Sequence, residues 1–450
     1  MKSQQPVASS RVPKSLELFE RALERIPGGT QLVSRRPSRA AYGVSPIYAE
    51  RANGARFWDV DGHEYIDWMS GIGSILLGYC DPVVDDAVRE QISRGTIYSV
   101  NHELEIVLAE ALCRHIPCAE MVRYAKCGGE ACAIAVRIAR GVTGRDRVLF
   151  CGYHGWHDWY LAANLAEAAG LDAHLLPDIE PIGVPRGLAG TAIPFAFGDA
   201  AALGELLDQH RGQIAAIVKE PLRSELPPAG YLAAVRKLAT EHGAVLIFDE
   251  VSAGLRFGMG GAQGALGVTP DMAVFAKSIS NGYPMAAVVG RREVMEPAAQ
   301  MFISSTYWSD TIGLRAALTT LEETERRGVP HQLEVFGTEL KARLNAIASE
   351  VGLPAVCRGV DVHPHLDFEL DDPKLVPTVK TLYIQEMAKR GCHGNTAFYL
   401  NAAQGDAELE QTVAAAREVF AIIRDGLAAD NVSQLLECAP QHDAFRRLVR

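Results

Sequence analysis

Lys277 stands at the end of a short apolar run, Met272-Ala-Val-Phe-Ala276, and is followed by Ser-Ile-Ser-Asn281-Gly-Tyr-Pro284. The run reads as a buried strand and the Asn-Gly-Tyr-Pro stretch as a turn. Lysine is seldom fully buried unless paired. At such a junction it either exits to solvent or is desolvated. Desolvation lowers the pKa of an amine and leaves the nucleophile that Schiff-base chemistry needs. On this stretch alone both readings stay open.

Other reactive groups follow other apolar runs. After Met121–Ala125 comes Lys126-Cys127-Gly128-Gly129-Glu130, then a helical stretch over 131–140. Two glycines at a helix N-terminus let backbone amides approach a phosphate, aided by the helix dipole, although a plain strand–helix turn needs glycine too. After Arg147–Cys151 comes Tyr153-His154-Gly155-Trp156-His157-Asp158. Its aromatic residues could stack on a flat ring. The histidines and Asp158 come with no further ligand set, so no metal is expected. After Ala244–Phe248 comes Asp249-Glu250-Val251-Ser252. A carboxylate there either meets a cation, such as a protonated ring nitrogen, or caps the next helix. Glu220 repeats the theme after Ile214–Val218. Arg35 and Arg36 form a basic loop that could hold a carboxylate in a bidentate contact or simply face water. The hydroxyl-rich Ser304–Ser309, which includes Thr306, is either a helix-capping region or a second source of phosphate donors.

An amine, a phosphate cradle, a stacking aromatic and a carboxylate are together what pyridoxal 5′-phosphate requires. The glycine-rich segment 256–267 is not a dinucleotide site, because no clean strand leads into it and Asp271 comes too early. It is expected to be a loop covering a site.

The elements that must position these groups can be read from periodicity. Between about 83 and 330, helical segments alternate with apolar runs, adding Ala286–Val289 to those above. That pattern predicts an α/β fold with a mostly parallel sheet and helices on both faces, and ligands on such sheets bind beyond the carboxyl ends of the strands. Before it lie an amphipathic helix over 15–26, stopped at Pro27-Gly28-Gly29, and a hairpin (55–60 and 63–68) around Asp61-Gly62. After it come helices over 332–351, 376–390 and 406–427, with strand-like stretches at 365–370 and 396–400. The expected division is 83–330 as a large domain, with 1–82 and 331–450 contributing to a smaller α+β domain.

The chain has 450 residues, 48% of them hydrophobic and 22% charged, as in ordinary globular proteins. A net charge of −11 argues against nucleic acid as a partner. No apolar run reaches membrane-spanning length. The first ten residues read as a polar leader without a signal-peptide core. Nine cysteines, an odd number without a CxxC pair, suggest reduced thiols in the cytoplasm.

Six segments resemble those of class III pyridoxal-phosphate aminotransferases: Ile26-Pro-Gly-Gly29, Phe57-Trp-Asp-Val-Asp-Gly62, Cys127-Gly-Gly-Glu-Ala131, Tyr153-His-Gly155, Phe248-Asp-Glu-Val251 and Phe275-Ala-Lys277. The nearest branch is that of glutamate-1-semialdehyde aminomutase and its aminotransferase relatives. The resemblance covers about Leu16 to Leu427. It implies fold type I and a homodimer with active sites at the subunit interface. It also implies that Lys277 bears the cofactor aldimine and shuttles the proton, and that Asp249 pairs with the pyridine nitrogen. Val251 then lies under the ring and Tyr153 over it. Gly128 and Gly129 hold the phosphate, Thr306 reaches it from the neighbouring subunit, and Glu220 lies near cofactor or substrate.

Departures from the family pattern are Gly129 in place of Ser or Thr, Cys127 in place of serine, and Ser252 in place of Gln or Met. The segments 278–284 and 307–310 also differ from the aminomutase's own. Transamination between an amino donor and a keto or aldehyde acceptor is therefore expected. The alternative is an intramolecular amino transfer like that of glutamate-1-semialdehyde 2,1-aminomutase.

Overall fold

In a computed structural model, residues 10–166, 171, 174, 179–222 and 224–441 are described. The polar leader lies outside the described residues apart from Ser10. The chain divides into two compact units. The first runs to Ile72 and takes in Leu77–Asp81 and the chain from Gln332. The second comprises Gly73–Leu76 and Pro82–His331.

The second unit is built on a seven-stranded sheet. Its strands are β1 (Met121–Ala125), β2 (Arg147–Cys151), β3 (Ala192–Pro194), β4 (Ile214–Lys219), β5 (Val245–Asp249), β6 (Met272–Phe275) and β7 (Ala286–Gly290). Their spatial order is β1-β7-β6-β5-β4-β2-β3. Only β7 runs against its neighbours, antiparallel to both β1 and β6. The central strands are apolar because both faces are covered. Every residue of β4, β5, β6 and β7 is buried, as continuous Val/Ile/Ala/Phe runs require. The six apolar runs expected as strands are all found, while β3 carries too short a run to be read from the sequence.

The helix Gly128–Thr143 packs its Ala131, Ala135, Ile138 and Ala139 face onto this sheet and ends at Gly144 in the left-handed region (φ 64°). The helix Thr311–Arg327 is capped by Asp310, whose Oδ1 accepts from the amides of Ile312 and Gly313. The residue that caps it is therefore one beyond the hydroxyl-rich run.

Two expectations need correction. Residues 256–267 are not a covering loop: they form a 3-10 turn, Gly254–Arg256, and a helix, Gly261–Leu266. Arg256 is buried and donates to the carbonyls of Gly73 and Ile75. The buried Glu250 accepts from the amides of Ala262 and Gln263. Two charged groups that must satisfy their polar atoms inside the unit draw the glycine-rich segment inward. In the first unit, residues 396–400 form no strand, and only an isolated bridge pairs Ala397 with His365.

The first unit holds the expected hairpin, Arg56–Asp59 against Glu64–Asp67, extended by Ala49–Asn53 on one side and by Cys392–His393 on the other. The helices Pro13–Leu23, Val376–Lys389 and Asp406–Ala428 lie in the same unit.

Candidate active site

The groups that follow the strands converge on one cavity of about 380 Å³ in the second unit. Lys277, Ser252, Val251, Asp249, Glu220, Tyr153, Gly129 and Gly128 all line it. They come from the carboxyl ends of β1, β2, β4, β5 and β6, where an open parallel sheet binds its ligand. Arg35 and Arg36 are not among them. They line a separate cavity of about 460 Å³ inside the first unit, beside Tyr48, Asp67, Tyr79 and His393. Size does not decide between the two, and the chemistry favours the smaller. Thr306 lies exposed on a turn and does not line the cavity of its own chain.

Lys277 opens the 3-10 turn Lys277–Ser280 and takes a left-handed backbone, φ 52°. For a side chain with a Cβ this costs about 1–3 kcal/mol and persists where the surroundings enforce it, commonly at functional sites. Here β6 fixes one side. On the other, Asn281, also left-handed, accepts from the Leu76 amide through Oδ1 at 2.9 Å. The result aims the half-buried Lys277 Nζ at Ser252, to whose Oγ it donates at 3.0 Å.

Asp249 ends β5 and is 4% exposed. Its Oδ1 accepts from the Val251 amide at 3.0 Å, and its Oδ2 lies 2.8 Å from His154 Nδ1 and 3.4 Å from Cys132 Sγ. His154 is itself buried, with Nε2 3.2 Å from the Cys151 carbonyl oxygen. The ligand-type atoms of Cys132, His154 and Asp249 all lie within 4.8 Å of one another, a spacing that could hold a metal ion. The short contacts to Asp249 already engage all three. Neither His154 nor Cys132 was expected to contact Asp249. The signal for His154 was its place beside Tyr153, just past β2, and for Cys132 there was none.

Cys127 precedes the helix Gly128–Thr143 and makes no side-chain capping hydrogen bond among the described residues. Space there is tight. A Cβ on Gly128 would lie 2.9 Å from both methyls of Val251, and one on Gly129 would lie 3.2 Å from Gly155 Cα. At Gly128 a side chain would force Val251 to shift, whereas at Gly129 a small one needs its neighbour to give by only a few tenths of an ångström. Glu220, 3% exposed, accepts from the Tyr153 amide at 3.4 Å and crowds Gly152 (φ 119°), where a Cβ would meet Oε2 at 2.7 Å. Lys126, at the rim, pairs with Asp310.

The fold and site thus define an α/β protein with two glycines at a helix N-terminus, an amine and a buried acid lining one cavity. Residues 38–375 match the family model Aminotransferase class-III. A 3-aminobutyryl-CoA aminotransferase from Cloacimonas acidaminovorans is 34% identical over 92% of this chain and 98% of its own. A glutamate-1-semialdehyde 2,1-aminomutase from Desulfitobacterium hafniense is 34% identical over 90% of this chain and 98% of its own. Among solved structures, the FumI protein of Sphingopyxis, in its pyridoxal-phosphate internal aldimine form, is 26% identical, with a TM-score of 0.84 over 95% of this chain and 99% of that one. An omega-transaminase from Sphaerobacter thermophilus is 28% identical, with a TM-score of 0.80 over 91% and 98%.

The chain belongs to the class III aminotransferases. It is an enzyme of that pyridoxal-phosphate-dependent class and transfers an amino group between an amino donor and a carbonyl acceptor.

The lining suits the cofactor: helix N-terminal amides at Gly128 and Gly129, the buried carboxylate of Asp249, and the Lys277 amine beside Ser252. Gly128→Ala is expected to weaken pyridoxal phosphate binding by roughly tenfold or more, since the added methyl must displace Val251 or the cradle. Titration of the apoprotein with the cofactor, followed by quenching of tryptophan fluorescence, checks this. A variant that binds as tightly as the parent would remove the cradle assignment.

Proposed function

We propose that Lys277 Nζ anchors the cofactor's aldehyde and then serves as the base and acid of transamination. When bound, pyridoxal phosphate supplies the electron sink for the bond broken at the substrate's Cα. The protein's part is to hold and to move protons. The amides of Gly128 and Gly129, at the positive end of the helix Gly128–Thr143, hold the phosphate. Asp249 keeps the ring nitrogen protonated. Tyr153 and Val251 flank the ring, and Glu220 sits toward the substrate side. Ser252 Oγ, 3.0 Å from Lys277 Nζ, keeps the amine over the cavity. Lys277 Nζ takes the Cα proton and returns it on the cofactor side.

The observation that carries this reading is the convergence of eight strand-end residues on one cavity. Arg35 and Arg36, in their own cavity, are proposed as carboxylate-binding residues. Thr306, on its exposed turn, would serve the phosphate site of a second copy, which makes the working unit a homodimer. A cytoplasmic setting is supported by nine free thiols. No helix among the described residues is long and apolar enough to cross a membrane.

The test is a half-reaction screen. Amino donors (α-, β- and ω-amino acids, amines, amino sugars) are added singly to the loaded enzyme, and the cofactor absorbance is followed. A donor that converts the cofactor to its amine form, with regeneration only on adding a separate carbonyl acceptor, is the expected result. The aminomutase reading is kept in view by relatives such as the Desulfitobacterium protein. Full turnover of a single substrate with no second acceptor would establish it instead.

A further inference from the structure

Asp249 has two side-chain partners that the mechanism above leaves unused, His154 and Cys132. Cys132 lies in the second turn of the helix Gly128–Thr143, on the face packed against the sheet, and is 2% exposed. Its Sγ is 3.4 Å from Asp249 Oδ2. Burial first, and the charge of Asp249 second, push the thiol pKa far above that of a free cysteine. The sulfur therefore keeps its hydrogen and donates it. A thiol is a weak donor, but between two groups as buried as Cys132 and Asp249, 2% and 4% exposed, even a weak hydrogen bond to a carboxylate counts.

The placement matters as much as the bond. One helix carries Gly128 and Gly129 in its first turn and, one turn later, a donor to Asp249. With the Val251 amide on Oδ1 and His154 on Oδ2, the thiol completes a set of contacts that hold the carboxylate in one rotamer.

We propose that Cys132 is a positioning residue for the cofactor: its thiol fixes the Asp249 carboxylate in the orientation that meets the ring nitrogen. This rests on Asp249 being the ring-nitrogen partner. Loss of the thiol frees the carboxylate to rotate and weakens its hold on the ring.

The test uses Cys132→Val, which fills the site with a slightly larger apolar side chain and removes the donor, Cys132→Ser, which restores a donor, and Asp249→Asn. In the apoprotein, the infrared S–H band of Cys132 is isolated as the difference between the parent and Cys132→Val. It is expected at lower frequency than the bands of exposed thiols such as Cys80 and Cys127, and is expected to move back toward them in Asp249→Asn. The cofactor dissociation constant is expected to rise roughly three- to tenfold in Cys132→Val, the effect of one hydrogen bond, and to return to within about twofold of the parent in Cys132→Ser. A band at the free-thiol position, or unchanged affinity in Cys132→Val, overturns the proposal. If the band is shifted but Asp249→Asn binds the cofactor as the parent does, the thiol contact stands, while the assignment of Asp249 falls and takes the positioning role with it.

Discussion

Lys277→Ala is expected to lower the rate of amino transfer by roughly 10⁴-fold or more, because one side chain supplies both the covalent anchor and the proton relay. The fold should survive. Lys277 is half-buried at the start of a short turn, and its left-handed backbone is a cost that alanine bears no more heavily than lysine. The decisive measurement is chemical. Borohydride treatment of the loaded parent enzyme should fix the cofactor to the peptide that contains Lys277, as read by mass spectrometry after digestion. The variant should yield no labelled peptide and should lose its cofactor on gel filtration. Label appearing on Lys126 or Lys219 in the parent would show that the wrong amine had been chosen. Lys277→Arg separates charge from nucleophilicity. It keeps a cation near Ser252 but cannot act as a base, so it should be as inactive as the alanine variant.

The second large effect concerns stability. Lys219 ends β4 and is fully buried, and its Nζ has no hydrogen-bond partner among the described residues. It lies 4.3 Å from the ring centroid of Tyr231 and 4.9 Å from that of Phe197, with Cys151 opposite it in the sheet. Desolvation brings its pKa down from 10.5 to about 7, and the nearby Cys151 and Glu220 recover only part of that. The sign follows from the depressed folded pKa. Above pH 10.5 the amine is neutral in both states and its burial costs least. As pH falls toward 7 the unfolded chain takes up a proton that the folded chain does not, and stability is lost across that window.

Lys219→Met keeps the apolar stem between the two rings and removes the titrating group. It is expected to stabilise the protein by about 2–4 kcal/mol at pH 7 and to flatten the stability profile between pH 7 and 10.5. Denaturant midpoints measured across that range check both claims. A profile as steep in the variant as in the parent would assign the slope to another group. Glu250 does not confuse the result. Burial raises its pKa from 4.5 to about 7, so its contribution is lost as pH rises through that lower window.

Much of this protein is legible in one dimension. Strands buried on both faces must be continuous apolar runs, and those runs are short enough to locate. In a parallel sheet the ligand side lies just beyond the carboxyl end of each strand, so Lys277, Asp249, Glu220, Tyr153 and Gly128, all within three residues of a run's end, could be named from position alone. The resemblance to an aminotransferase family rests on the same residues, since the cofactor's needs constrain the strand ends.

Other features depended on distances that spacing does not encode. Cys132 and His154 meet Asp249 across 117 and 95 residues of chain. Nothing in a helix-forming run marks one cysteine as facing a carboxylate. Lys219 directly follows the apolar run Ile214–Val218. The register of β4 with β2 keeps it inside, on the face opposite Val218, where Tyr231 and Phe197 close over it. Residues 256–267 read as a loop covering a site because glycine marks loops, yet Arg256 and Glu250, once buried, had to find partners and drew that segment inward. Sequence by itself determined which groups stand at the ends of the strands, because alternation and burial are local rules. Only the tertiary structure decided which of them share a cavity and which charged groups are buried outside its lining, because those depend on strand order, register and the packing of residues far apart in the chain.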